Sequence, residues 1–145
     1  MNGFMQIAFE QAAAAAQRGE VPVGAVLVRD GAVLAADGNR VEELRDPSAH
    51  AEMLVIRAAA QAGTGRLEGC DLYVTLEPCP MCAAAISLAR IRRVYFGAYD
   101  PKGGGVEHGA KVFDHPTCHH RPEVFGGLDE SRAAELLRAF FRERR

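Results

Sequence analysis

Tyr73-Val74-Thr75-Leu76-Glu77-Pro78-Cys79-Pro80-Met81-Cys82 is the stretch that decides the fold. Asp71 to Leu76 is β-branched and aromatic, so it reads as a strand. Pro78 breaks that strand, and Met81 to Ala89 reads as a buried helix of small residues. Cys79 and Cys82 are three apart, and residues at i and i+3 share one helix face. They also fall in the first turn, where backbone N–H groups and the helix dipole favour thiolates.

Upstream, Ala49 to Ala62 repeats apolar residues at helical spacing through Met53, Ile56 and Ala60. That predicts a helix with Ser48 as N-cap, ended by Gly63 and Gly65. Gly38 to Ser48 is polar and turn-rich, hence a loop. The apolar runs Val23–Val28 and Ala32–Ala36 flank Asp30-Gly31, which predicts a hairpin with a tight turn. Phe4, Ile7 and Ala8 open a helix from about Gly3 to Arg18, stopped near Gly19.

Downstream, Val94 to Ala98 is a further strand. Tyr99 to Pro122 is irregular, with Gly103-Gly104-Gly105 and a helical turn expected around Ala110. Glu123 to Phe125 is a short strand, and Glu130 to Arg144 a closing helix with Ala133, Leu136, Leu137, Phe140 and Phe141 on its apolar positions. A hairpin followed by alternating strands and helices implies an α/β, three-layer protein with a mixed sheet covered on both faces. In such folds, catalytic groups sit where strands hand over to helices.

The composition agrees. The 145 residues, 48 % hydrophobic and 25 % charged, suit one globular domain over 1–145. No run of about 18 apolar residues occurs, so no membrane span is expected. Met1 to Gln11 lacks the marks of an export signal. With four cysteines, that predicts a reducing, cytoplasmic setting where metal binding or catalysis outranks disulfides. A net charge of −2 argues against nucleic-acid binding by bulk charge, though a local basic patch stays open.

Three segments carry the chemistry: His50-Ala51-Glu52, Glu77-Pro78-Cys79 and Pro80-Met81-Cys82. A catalytic zinc takes three nitrogen or sulfur ligands and keeps one position open. His50, Cys79 and Cys82 supply that set. Glu52, two residues from His50, can reach the open position without ligating the ion. It can take a proton from a metal-activated water and pass it on, a role worth about 10²–10⁴-fold. Two other readings compete. A redox pair would need a thioredoxin-like context, which is absent. A closed structural site would need a fourth ligand, for which Cys70, His115, Cys118, His119 and His120 are candidates.

The pair HAE plus PCxxC resembles the zinc-dependent nucleoside and nucleobase deaminases, whose H-x-E…P-C-x-x-C signature it matches. Glu20-Val21-Pro22-Val23-Gly24-Ala25-Val26, Asn39-Arg40, Phe96-Gly97-Ala98, Asp100, Lys102, His119-His120-Arg121 and Phe140-Phe141-Arg142 extend the resemblance to the bacterial tRNA adenosine deaminases. It runs from about Phe4 to Arg145.

The resemblance implies a cytidine deaminase-like fold with a five-stranded mixed sheet, one Zn²⁺ per chain and a homodimer. It implies hydrolytic deamination of adenosine to inosine at the wobble position of an anticodon, in arginine tRNA. Zinc would be held by His50, Cys79 and Cys82, with Glu52 shuttling protons as ammonia leaves C6. Asn39 and the Ala51 N–H would hold the base, within the segment begun by Glu20 and Val23. Asp100 and Lys102 would face the RNA. Adjacent helix positions diverge by about 100°, so one of Phe140 and Phe141 packs inward and the other is free to stack a base; Phe141 and Arg142 are taken as the substrate side.

Two further readings remain. A deaminase of a free base such as guanine or cytosine would share the metal site. A non-catalytic zinc or RNA-binding module would close it with a fourth ligand.

Overall fold

The computed structural model describes residues 2–63 and 65–144. Among these residues eleven segments of regular structure follow one another. Helix α1 spans Asn2–Gln17, strands β1 and β2 span Gly24–Arg29 and Ala32–Gly38, and a one-turn helix α2 spans Val41–Leu44. Then come α3 (Ala51–Ala62), β3 (Cys70–Leu76), α4 (Pro80–Ala89), β4 (Arg93–Ala98), a 3-10 turn at Val112–Asp114, β5 (Glu123–Phe125) and α5 (Glu130–Glu143).

The five strands form one sheet in the order β2-β1-β3-β4-β5. β1 is antiparallel to both β2 and β3, while β3, β4 and β5 run parallel. This is the expected mixed sheet. The Asp30-Gly31 turn has φ of 51° and 77° at its two residues, the pair of positive values that a two-residue hairpin of type I′ demands. Residues Gly24 to Val28 are all buried, which explains why β1 reads as a continuous apolar run rather than an alternating one.

Each face of the sheet carries its own core. Leu27, Leu72, Val74, Val94 and Phe96 pack with Val55 and Ile56 of α3 and Ile86 of α4. On the other face Val26, Val28 and Tyr73 pack with Met5, Ala8 and Phe9 of α1 and Ala133 of α5. α1 lies close enough to β1 that a Cβ on Gly24 would collide with the Ala8 carbonyl and the Ala12 amide. That close approach requires glycine.

Three expectations are corrected. Gly38–Ser48 holds the α2 turn, because the Glu20 carboxylate accepts N–H bonds from Glu42 and Glu43 at 3.1 and 2.8 Å. Ser48 does not cap α3: its hydroxyl donates to Asp46 at 2.7 Å, and His50 occupies the N-cap position. The turn expected near Ala110 lies at Val112–Asp114.

The long 99–122 segment is pinned rather than loose. Ser87 donates to the His120 carbonyl at 2.7 Å, the Cys118 thiol donates to the same carbonyl at 3.2 Å, and His120 Nε2 donates to the Ile91 carbonyl at 2.7 Å.

Candidate active site

Two helix starts converge on the site. His50 is the N-cap of α3 and Cys79 the N-cap of α4, with Pro80 at its first helical position. Neither helix start has a side-chain cap from its own N-cap residue, so both side chains remain available as ligands. Cys82 follows one turn later and is buried.

His50 Nδ1 lies 3.6 Å from Cys79 Sγ and 3.5 Å from Cys82 Sγ. Tetrahedral bonds of about 2.1 Å to nitrogen and 2.3 Å to sulfur would set nitrogen and sulfur about 3.6 Å apart. The donors are therefore already spaced for one zinc ion. Among the described residues this is the one group of three or more His, Cys, Asp or Glu ligand atoms lying within 4.8 Å of one another.

None of the candidate fourth ligands of the competing closed-site reading joins it. Cys118 and His120 are spent on the Ser87 and Ile91 contacts, His115 Nε2 donates to the Ala110 carbonyl at 2.7 Å, and neither Cys70 nor His119 is part of the group.

The two thiols differ. Hydrogen bonding from Cys82, assisted by His50 and opposed by burial, pulls Cys79 down to about 4. Cys82 is pushed up, by donating to Cys79 and by burial. Glu52 is buried and pushed up to about 7, chiefly by desolvation and further by the Cys79 charge. A carboxyl poised near neutrality suits proton transfer at that pH.

The site opens into a cavity of about 670 Å³ lined by His50, Glu52, Cys79, Glu20, Val23, Asn39, Asp100, Phe140 and Arg144, among others. Asn39 is held on three sides. Its N–H donates to the Val23 carbonyl at 3.1 Å, its carbonyl accepts from Arg18 at 2.9 Å, and its Oδ1 accepts the Ala51 N–H at 2.8 Å.

The matches to known proteins follow this geometry. The model of the cytidine and deoxycytidylate deaminase zinc-binding region matches residues 1–98. A tRNA-specific adenosine deaminase of Agrobacterium fabrum is 63 % identical over 143 residues, covering 98 % of this chain and 94 % of that protein. The tRNA-specific adenosine deaminase of Bacillus subtilis is 48 % identical, covering 98 % of this chain and 89 % of that protein. The chain belongs to the tRNA-specific adenosine deaminase family.

A solved structure from work on A-to-I editing by tRNA:A34 deaminases at the wobble position of transfer RNA superposes with a TM-score of 0.91. It is 60 % identical and covers 94 % of this chain and 100 % of that one. A guanine deaminase from Bacillus subtilis superposes less closely, with a TM-score of 0.67 at 31 % identity, covering 97 % and 93 %.

Of the residues expected to meet substrate in this deaminase, Glu20, Val23, Asn39 and Asp100 line the cavity and four do not. Each oxygen of Glu20 accepts one N–H from α2, which fixes the carboxylate in the cavity wall. The Ala51 N–H is consumed by Asn39, so it aims that amide instead of holding a base. Lys102 is exposed outside the cavity. Phe141 and Arg142 also stand outside, Phe141 49 % exposed and Arg142 paired with Glu135 at 3.1 Å. Phe140 is the inward ring, 7 % exposed, with the Arg144 guanidinium 4.0 Å from its centroid. Arg145 lies outside the described residues.

Sequence reasoning missed Phe140, Arg144 and Glu77 as cavity residues. Only the inward register of α5 would have favoured Phe140 over Phe141.

Proposed function

We propose that this chain hydrolyses the 6-amino group of the wobble adenosine in a tRNA anticodon, releasing ammonia and leaving inosine. One observation carries the reading: a three-donor group with a buried, proton-ready carboxylate at its side opens into a cavity large enough for a nucleotide, not only a base.

His50, Cys79 and Cys82 would hold one Zn²⁺. When bound, the ion would supply Lewis acidity that makes a water nucleophilic near neutral pH. Glu52 would take a proton from the attacking water and deliver it to the departing nitrogen. Burial raises its hold on a proton, which suits it to pick one up and give it back. Asn39 presents its Nδ2 group to the base, since its oxygen is already spent on Ala51. Phe140 walls the purine, and Arg144 beside it neutralises phosphate charge.

An anticodon base must leave its stack to enter such a cavity, which a single-stranded loop permits at small cost. The arginine tRNA implied by the sequence resemblance is the substrate we favour. We further propose one deaminase domain over 1–145, working as a homodimer in the cytoplasm. Exposed Met81 and Leu88 on α4 support a second copy there. No helix among the described residues is long and apolar enough to cross a membrane.

The test offers the purified protein an anticodon stem-loop with adenosine at the wobble position, beside free adenosine, adenine, guanine and cytosine. Inosine is read by mass spectrometry and ammonia by coupled assay. Turnover of the stem-loop alone is expected. Faster release of ammonia from a free base would overturn the tRNA reading in favour of a free-base deaminase.

A further inference from the structure

Glu77 immediately precedes the Pro78-Cys79 ligand turn, yet nothing in the proposed chemistry uses it. Its side chain is fully buried. Oε1 accepts the Asp100 N–H at 3.0 Å and His108 Nδ1–H at 2.8 Å. Oε2 accepts the N–H groups of Val106, Glu107 and His108 at 3.2, 2.8 and 3.0 Å. Five donors saturate a carboxylate, which offers about four lone-pair sites.

The loop they come from has been fitted to this arrangement. A Cβ on Gly104 would lie 2.5 Å from Glu77 Oε2 and 2.5 Å from the Asp100 carbonyl. One on Gly105 would lie 2.5 Å from Pro80 N. The Gly105 N–H also donates to the Pro78 carbonyl at 2.8 Å. Asp100 and Gly103, on the same loop, line the substrate cavity.

We infer that Glu77 is a positioning residue: it nails the 100–108 loop in place as one wall of the substrate cavity and acts on substrate only through that loop. The substitution Glu77→Gln is informative because an amide has one acceptor. Its oxygen would take the Val106–His108 side, where three N–H groups converge. Its NH2 group would then face the Asp100 N–H, and that bond would be lost. Gly104→Ala disturbs the same knot from the loop side, and His108→Ala removes one donor of five.

The wall's effect on RNA rests on the proposed function, whereas its architecture does not. The experiment therefore reads both on the zinc-loaded protein. Hydrogen exchange at the Asp100, Val106, Glu107 and His108 amides is measured without RNA, together with zinc content. KM and kcat are measured separately on the stem-loop.

Exchange at Asp100 is expected to rise at least tenfold in Glu77→Gln and Gly104→Ala, and less in His108→Ala, with zinc at one per chain throughout. KM is expected to rise tenfold or more in the same order while kcat stays within about threefold. Should Glu77→Gln fail to fold, the Gly104→Ala and His108→Ala pair still decides.

Unchanged exchange at Asp100 would overturn the inference. So would a fall in kcat at constant KM, or loss of zinc from Gly104→Ala, since either would place the effect on the ligand turn. If the unaltered protein does not turn over the stem-loop, the proposed function fails and the exchange data alone judge Glu77.

Discussion

Glu52→Gln separates the chemistry of the site from its folding cost. Burial holds the Glu52 carboxyl at about 7, against its ordinary 4.5. A pKa unit is worth about 1.4 kcal/mol, so ionising this group in the metal-free fold costs about 3 kcal/mol. The sign follows from proton binding. Between the two values the unfolded chain is ionised while the native state keeps its proton. The native state therefore binds more protons, and stability falls as pH rises. The penalty is absent below 4.5 and complete above 7. Glutamine keeps the shape and cannot ionise. Zinc-stripped Glu52→Gln is expected to exceed the parent in stability by about 3 kcal/mol at pH 8.5 and by under about 1 kcal/mol at pH 5. For a chain of this length the larger gain is about 9 °C in Tm. Urea titration or calorimetry with a chelator at the two pH values reads it. Reloaded with zinc, the variant is expected to bind one ion and to lose turnover by at least about 10²-fold. A zinc-free variant no more stable at pH 8.5, or equally stabilised at both pH values, would refute the charge argument.

Substitutions at six other residues probe the remaining parts. His50→Ala removes a ligand, so elemental analysis is expected to find little zinc and the thermal stabilisation by added zinc is expected to vanish. Asn39→Ala leaves the buried Ala51 N–H without its acceptor and is expected to cost about 1–3 kcal/mol in urea; Asn39→Asp keeps the acceptor and most of the stability, yet loses turnover with the Nδ2 donor. Phe140→Ala empties a buried position and is expected to cost about 3 kcal/mol, while exposed Phe141→Ala changes chemical stability by less than about 0.5 kcal/mol. Arg144→Ala is expected to reduce the salt slope of stem-loop binding by about 1; Arg142→Ala, whose guanidinium already faces Glu135, reduces it less in the same filter-binding series.

What could be read before folding depended on distance along the chain. The strand-to-helix hand-over at Pro78, the Asp30-Gly31 turn and the metal group are local patterns. Each is encoded by residues within a few positions, and two such patterns, HAE and PCxxC, needed only to meet. Apart from the small shift of the Val112–Asp114 turn, the errors are long-range. Ser48 is a good cap by type, but the acceptor for the Ala51 N–H comes from Asn39, twelve residues back. The α2 turn is organised by Glu20, more than twenty residues away. Phe140 and Phe141 are chemically alike, and only the docking of α5 decides which ring turns inward. Glu77 sat in plain view beside the ligand motif, but its five donors arrive from a glycine-rich loop whose path no periodicity reports.

The electrostatics of the cavity turn on a contrast among three buried glutamates. Glu20, Glu52 and Glu77 are each no more than 4 % exposed, and an isolated buried carboxylate is costly. Glu20 answers that cost with two backbone N–H groups and Glu77 with four plus an imidazole. In Glu77 these bonds outweigh the upward push of burial and hold the carboxyl below its usual range. Glu77 is thereby held as an anion, and its strength as an anchor makes it a poor proton carrier. Glu52 has no comparable set of donors: its own backbone N–H and the Cys82 thiol offset burial only in part. Glu52 is left near neutrality, two residues from the imidazole and facing the cavity. The fold thus uses one residue type for two purposes. Saturating a buried carboxylate with amides builds a rigid wall, and withholding them leaves a group that can give and take a proton.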